Sequence, residues 1–391
     1  MDEKKVTYSR VRSQHNKKKR RLKKSVRRFL LLVLLILGSV LTYTFFLENE
    51  VVKVSKVNTH TSKETIVSEK VKSNEEIINT TIKISAAGDF TLGRDENYEY
   101  SGSFVDEASK NGLPYFVEGI DQLFLEDDFT SVNLETTLTN STDKADKTFR
   151  FKGDPEYAEI LKLGGIDAVN LANNHIFDYM QKGYEDTKLA LDTFNIGYFG
   201  YEDQFISTIK DVKIAALGYE GWQDTPEIRE KIKKDIDGLR EKGTQIVIIH
   251  FHWGDEKQYI PNVNQETLAK FTIDSGADLI LGHHPHVIQG IEEYKGKFIV
   301  YSLGNFMFGG NRNPSDKDTF VFQQTFHIKD GILTDKKEIN IIPYSISSVS
   351  DRNNYQPVKL SGEESSRVME KILHYSNEIN GSEWIVYDQD I

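Results

Sequence analysis

Three histidines, His283, His284 and His286, fall within "LILGHHPHVIQG" (Leu279–Gly290), directly after a short apolar run, in a chain with only ten histidines. His250 and His252 end a second apolar run, "TQIVIIHFHWG". A third stretch, "IDAVNLANNHIFDY", supplies Asn173, Asn174, His175 and Asp178; Asp89 follows "IKISAAG", and Glu135 ends "SVNLE". Imidazole, carboxylate and amide donors together suit a borderline divalent metal such as Mn, Fe or Zn better than Ca or Mg alone. Two such ions bridged by a carboxylate form the clamp of many hydrolases. The expected ligands of one or two ions are Asp89, Glu135, Asn174, His250, His252, His284 and His286, with His175 and Asp178 as acid–base groups.

The elements that must position these groups are strands. Ligands of open α/β sheets bind outside the carboxyl ends of strands, and five predicted strands here carry a polar group at that end. His250 and His252 are two apart, so on a strand they face the same side. His284 and His286 repeat that separation around Pro285, and Gly282 would let the backbone turn just before them. Arg94 follows a Leu-Gly pair, and Arg150 and Lys152 alternate with aromatics in "FRFKGDP". A guanidinium can grip a carboxylate or phosphate through two bonds. These three, with Asn305 in "YSLGNF", are the expected substrate-binding residues; a solvated strand face balancing an acidic surface is the plain alternative for the cations.

Around these points short apolar runs alternate with amphipathic stretches, which predicts an α/β domain. Strands are expected at Ile82–Gly88, up to Glu135, at Ile166–Asn174, Val212–Tyr219, Thr244–Gly254 and Ala277–Gly282. Helices are expected near Pro114–Leu125, Asp154–Gly165, Gly183–Phe194, Thr225–Lys242 and Asn264–Gly276. The later pattern is mostly β, with a last helix near Glu363–Tyr375. Two packed sheets with helices outside fit that order.

The N-terminal part is different. Residues 1–28 carry 13 Lys and Arg against Asp2 and Glu3, so a net charge of −11 leaves the remaining 363 residues at −22. Residues 29–47 are 19 positions without a charge, about 28 Å as a helix, which matches a bilayer's hydrocarbon thickness. The basic run before it puts the N-terminus in the cytoplasm and the rest outside. No small-x-small cleavage signal follows, which predicts an uncleaved single-pass anchor at the cell membrane. Residues 48–80 are polar and read as a linker. The absence of cysteine removes disulfides and lipidation, which suits a Gram-positive type of surface. An acidic outer part argues against nucleic-acid binding. The domain boundaries expected are therefore 1–28, 29–47, 48–80, 81–345 for the globular domain and 346–391 for an extension packing on it.

Six segments in order, "AAGDFTLGR", "NLETTLT", "NLANNHIFDY", "HFHWGDE", "GHHPHVIQG" and "YSLGNFMF", resemble the CapA family of bacterial capsule proteins, named for poly-γ-glutamate synthesis, across about residues 82–310. That family is related to the calcineurin-like metallophosphoesterases, so the resemblance implies a four-layer α/β/β/α sandwich. It also implies roles: Asp89 as the first metal-ligand Asp, Asn174 as a ligand beside the general acid His175, His252 or His250 at a later strand end, and His284 and His286 as the final pair, with His283 an alternative. Two positions depart from the metallophosphoesterase pattern. Thr91 stands where a ligand His would follow Asp-x, and Glu135 stands for the bridging Asp. A neutral hydroxyl is a poor donor to such a metal, so phosphatase activity does not come with the fold.

Three functions follow. The first is an outward-facing, membrane-anchored component of poly-γ-glutamate or similar anionic polymer synthesis and export, with synthase and export subunits as partners. The second is a metal-dependent hydrolase of a phosphoester or polymer amide. The third is a polymer-binding module without chemistry. A domain near −22 repels a polyanion, so local Arg, Lys or metal must offset that repulsion.

Overall fold

The computed structural model describes residues 79–381. The expected basic tail, the apolar span at 29–47 and nearly all of the expected linker lie outside the described residues. No helix among the described residues is long and apolar enough to cross a membrane.

The first half alternates strand and helix. β1 (Asn79–Thr91) and β2 (Arg94–Asp95) precede α1 (Phe104–Asn111), which the sequence reading missed. Ser103 caps α1 by accepting from the Asp106 amide, which satisfies one of the free donors of a helix start. In place of the single helix expected over Pro114–Leu125, two 3₁₀ turns stand at Leu113–Ile120 and Leu123–Leu125. Asp121 and Gln122, at φ 55° and 59°, interrupt the path between them, because a left-handed pair cannot continue a right-handed helix.

The chain then runs through β3 (Phe129–Leu134), β4 (Thr137–Leu138), β5 (Phe151–Gly153), α2 (Ala158–Leu163), β6 (Ala168–Asn170), α3 (Met180–Thr193), β7 (Gly197–Phe199) and β8 (Phe205–Ile209). β9 (Val212–Glu220), α4 (Pro226–Glu241), β10 (Ile246–His252), α5 (Val263–Asp274) and β11 (Leu279–His283) continue the alternation. The remainder is β12 (Ile291–Tyr294), β13 (Lys297–Val300), β14 (Asn305–Phe308), β15 (Asp318–Lys329), β16 (Ile332–Leu333), β17 (Ile339–Ser345), β18 (Val358–Lys359) and α6 (Gly362–Asn380).

Nine strands form one sheet, ordered β18-β17-β15-β1-β3-β6-β7 with β14 and β16 attached to β1 and β15; six form another, ordered β12-β13-β11-β10-β9-β8; β2, β5 and β4 make a small third. Within the large sheet β1, β3, β6 and β7 are parallel, and within the second β9, β10, β11 and β13 are parallel. Parallel runs need crossover helices, which explains the alternating pattern.

Three apolar cores separate the layers. Ile82, Ile84, Phe129 and Phe322 of the large sheet pack with Ile214, Ile248, Leu281 and Val300 of the second in one core, which Val368 and Ile372 of α6 also enter. Phe90, Val132 and Val169 join Leu161, Leu191 and the 3₁₀ turns in another. Ala215, Ile249 and Ile280 pack against Ile232, Ile236 and Leu268 of α4 and α5 in the third. Each sheet is therefore apolar on both faces, as parallel strands buried on two sides must be.

The alternation in β1 breaks near its end. Pairing with β3 shifts register between Ala86 and Asp89, and pairing with β14 shifts between Asp89 and Phe90. Such irregularities re-aim a side chain, and the one re-aimed here is Asp89.

Candidate metal centre

The parallel strands of both sheets end on the same side of the molecule, and two hydrogen bonds tie those ends together. Ser131 Oγ of β3 lies 2.9 Å from His250 Nε2 of β10. Asn133 Nδ2 lies 3.3 Å from His252 Nδ1 and donates to Asp89 Oδ1 at 2.9 Å. Asn133 Oδ1 in turn accepts from Asn170 and Asn173. A row of amides thus sets the distance between the two strand bundles.

Around this row sit two groups whose donor atoms all lie within 4.8 Å of one another: Glu135 with His252 and His284, and Asp89 with Glu135 and His286. Glu135 belongs to both. Its side chain is fully buried and neither carboxylate oxygen has a hydrogen-bond partner in the protein. An unpaired buried carboxylate is costly, so these oxygens call for a cation. His284 Nδ1 and Thr91 Oγ1 are likewise buried without partners. The nitrogen and oxygen donor set, two carboxylates and three imidazoles, fits a borderline divalent metal.

The other expected ligands divide. Asn174 Oδ1 lies 3.0 Å from His252 Nε2, at the edge of the first group. His250 does not join either group: its Nε2 meets Ser131, and its Nδ1 meets His283 Nε2 at 2.9 Å. It lies between Ser131 and His283, away from Glu135, and its nitrogens come within reach of neither donor group. His283 stacks on His250 and brings Nδ1 to 3.2 Å from Asp89 Oδ1, so it stands behind the carboxylate. Thr91 is in place beside Asp89 but contributes only a hydroxyl.

Electrostatics follow the same geometry. Burial pushes Asp89 up, yet bonds from His283 and His286 outweigh it and hold the carboxyl well below the usual range. Burial raises Glu135 well above the ordinary carboxylate value. His286 is pushed down by burial, but the charges of Glu135 and Asp89 raise it to about 9. Burial lowers His284 to about 4 and takes His252 well below an ordinary imidazole. Without an ion, the His286 imidazolium beside the Asp89 carboxylate holds the charge of the site.

The backbone beneath the histidines is strained. His284 and His286 hold φ of 93° and 57°, a region non-glycine residues occupy at a cost of order 1–3 kcal/mol. The turn therefore falls on the histidines themselves and not on Gly282. That glycine answers a different need: a Cβ there would lie 1.9 Å from the Tyr301 carbonyl oxygen. Asn305 locks His286 from below, its Oδ1 2.9 Å from His286 Nδ1 and its Nδ2 donating to the His286 carbonyl.

His175 and Asp178 form a pair at one wall. His175 Nδ1 lies 2.7 Å from Asp178 Oδ2, and its Nε2 is 4.0 Å from Glu135. Asp178 also accepts from the Phe151 amide at 2.7 Å and pairs with Lys147 at 2.5 Å. The Phe151 ring packs 4.5 Å from the imidazole. Burial lowers His175 despite its carboxylate partner.

Arg94 and Lys152, paired in register across β2 and β5, line a cavity that none of the candidate ligands joins. Arg150 turns to Glu96 and to the carbonyls of Ala145 and Lys147. Sequence reasoning missed Ser131, Asn133, Lys147 and Trp222. Trp222 carried no signal; it stands edge-on to His252 and His284 at 5.5 and 4.7 Å and is 38% exposed.

Several known proteins are similar to this chain. It is 29% identical over 306 residues to the capsule biosynthesis protein CapA of Bacillus anthracis, covering 70% of this chain and 72% of that one. It is 31% identical over 248 residues to the PGA biosynthesis protein CapA of Bacillus subtilis, covering 58% and 63%. A probable polyglutamine synthesis accessory protein of Mycobacterium tuberculosis shares 28% over 209 residues, 46% of this chain and 55% of that one. A crystal structure of a hypothetical protein from Thermus thermophilus is similar at a TM-score of 0.42 and 13% identity, covering 67% of this chain and 99% of the other. Residues 83–310, more than half of the chain and every candidate ligand, match the family described as bacterial capsule synthesis protein PGA_cap, and the chain belongs to that family.

Proposed function

We propose that this protein is a membrane-anchored, extracytoplasmic component of the machinery that makes or exports poly-γ-glutamate or a similar anionic capsule polymer. The family match over residues 83–310 carries this reading, and the capsule and polyglutamate names of its relatives support it. The basic tail followed by 19 uncharged residues supports the anchor and the outward domain. The layering of two sheets between helices, with three separate cores, supports a four-layer metallophosphoesterase-like sandwich. Synthase and export subunits are the partners this role requires.

The His175–Asp178 pair favours a second, compatible reading at the level of chemistry: hydrolysis of a phosphoester or a polymer amide. Glu135, His252 and His284 would hold one divalent ion, and Asp89, Glu135 and His286 another. When bound, such ions polarise a carbonyl or phosphoryl oxygen and make water a better nucleophile. The protein's own groups supply the rest. Asp178 accepts from His175 Nδ1 and so fixes which nitrogen faces the centre; Lys147 and the Phe151 amide hold Asp178 still. His175 Nε2 is then placed to carry a proton to or from a leaving group. Trp222 and Phe151 pack their rings against the site's histidines.

Deleting the gene and measuring surface polymer tests the biological role; unchanged polymer removes it. Metal analysis of the purified chain, with Mn-supplemented turnover on phosphoesters and γ-linked amides, tests the chemistry. Bound polymer without turnover would leave a binding module.

A further inference from the structure

A cavity of about 240 Å³ lies on the other side of the small three-stranded sheet from His175, lined by Arg94, Lys152, Thr139, Asn140, Tyr157 and Tyr179 among others. Successive strand residues face opposite sides: Phe151 packs on His175, and Lys152 enters the cavity. In the turn before α3, Asp178 holds His175 and the next residue, Tyr179, lines the cavity.

Its polar groups are under-used. Lys152 Nζ donates only to the Ser141 carbonyl at 3.0 Å and sits 4.6 Å above the Tyr179 ring. Arg94 spends one terminal nitrogen on the carbonyls of Asp95, Glu96 and Tyr98. Neither cation pairs with a carboxylate among the described residues. The two acids at the rim are engaged elsewhere, Glu96 by Lys144 and Arg150 and Asp154 by the Glu156 amide. The Tyr179 hydroxyl is buried without a partner in a side chain 1% exposed, a condition that costs about 1–3 kcal/mol until a ligand or water relieves it. Two half-buried cations and a free hydroxyl are the complement of one carboxylate. The cavity is open to solvent and has room for a carboxylate-bearing side chain.

We propose that this cavity is an anion subsite that takes one carboxylate-bearing unit of the polymer, away from the reacting centre. The inference rests on the polymer reading above. It offers a polyanion two cations, Arg94 and Lys152, that no protein carboxylate pairs with among the described residues, and it fixes the polymer at a point one residue removed, on both β5 and the 178–179 segment, from the pair that orients His175.

The test is calorimetric titration of the full-length chain in detergent with short γ-linked glutamate oligomers, γ-linked glutamine oligomers of equal length, and inorganic phosphate. Lys152→Met, which keeps the apolar stem, is expected to weaken glutamate-oligomer binding about tenfold. Lys152→Arg should stay near wild type, and Tyr179→Phe should lose a few-fold. Lys234→Met, the same charge change on the exposed face of α4, should lose nothing. Metal content should be equal in all four. Glutamate-oligomer binding unaltered by Lys152→Met overturns the subsite, and if Glu135→Ala alone abolishes that binding, the polymer reading survives without it. No oligomer binding by wild type overturns both. Phosphate displacing the oligomer at equal concentration would make the cavity a free-phosphate site and overturn the polymer assignment.

Discussion

Two clusters of charge in this molecule, one at the surface and one buried, have opposite characters. Between β15 and α6, Asp318 takes two bonds from Arg367 at 2.8 and 2.6 Å and one from Lys371 at 3.0 Å. Asp316 accepts from Lys371 at 2.6 Å and from the Tyr259 hydroxyl at 3.0 Å, and Arg367 also reaches Glu364. Each formal charge there meets an opposite one. At the strand ends, Glu135 has no hydrogen-bond partner on either oxygen, and His284 Nδ1 and Thr91 Oγ1 have none, while His284 and His286 sit on strained backbone. A satisfied network fastens elements together. A buried set of ligand-type atoms left unsatisfied, and held so by strain elsewhere, marks a place for something that is not protein.

That contrast can be broken by substitution. The largest effect expected is in Glu135→Ala: loss of bound divalent metal, measured by elemental analysis. Retained metal stoichiometry would show that Glu135 is not shared by the two groups. Next, Asp178→Asn should leave metal content intact and lower any hydrolytic turnover by about 10²–10⁴, the usual worth of a positioned proton-transfer group. Equal turnover would reduce the dyad to packing.

Asp318→Ala is the converse case. It should leave metal content unchanged and cost about 2 kcal/mol in urea denaturation, below the roughly 3–5 kcal/mol of a fully buried broken pair, because Arg367 is half exposed. The smallest effect sharpens the sign. Burial raises Asp318, but Arg367 and Lys371 outweigh it and its carboxyl lies below the ordinary value. A depressed carboxylate stabilises the fold above its unfolded pKa, about 3.9, and that gain fades as pH falls through the lower folded value. The stability gap between wild type and Asp318→Ala should therefore be full at pH 6 and shrink below about pH 4; a gap independent of pH would place the cost in packing.

Much of this was legible in the chain. Strand–helix alternation gave the α/β class, and polar residues at strand ends gave Asp89, Glu135, Asn174, His252, His284 and His286, because the period of a strand and the location of its end are local properties. Other features were not. The helix expected at Pro114–Leu125 gave way to 3₁₀ turns, since two left-handed residues outweighed an apolar periodicity. His250 and His252 are indistinguishable by spacing, and only the packed sheets put the first between Ser131 and His283 and the second beside Glu135 and His284. Arg94 and Lys152 looked like substrate contacts at the same centre, and the pairing of β2 with β5 turns them to another cavity.

The sequence by itself determined which residue types would stand at the ends of which strands, and so the kind of chemistry the protein could hold. Periodicity and strand ends are written in neighbouring residues. The tertiary structure decided which of those side chains converge on Glu135, because that depends on groups such as Ser131 and His250, 119 positions apart, that meet only when the two sheets pack.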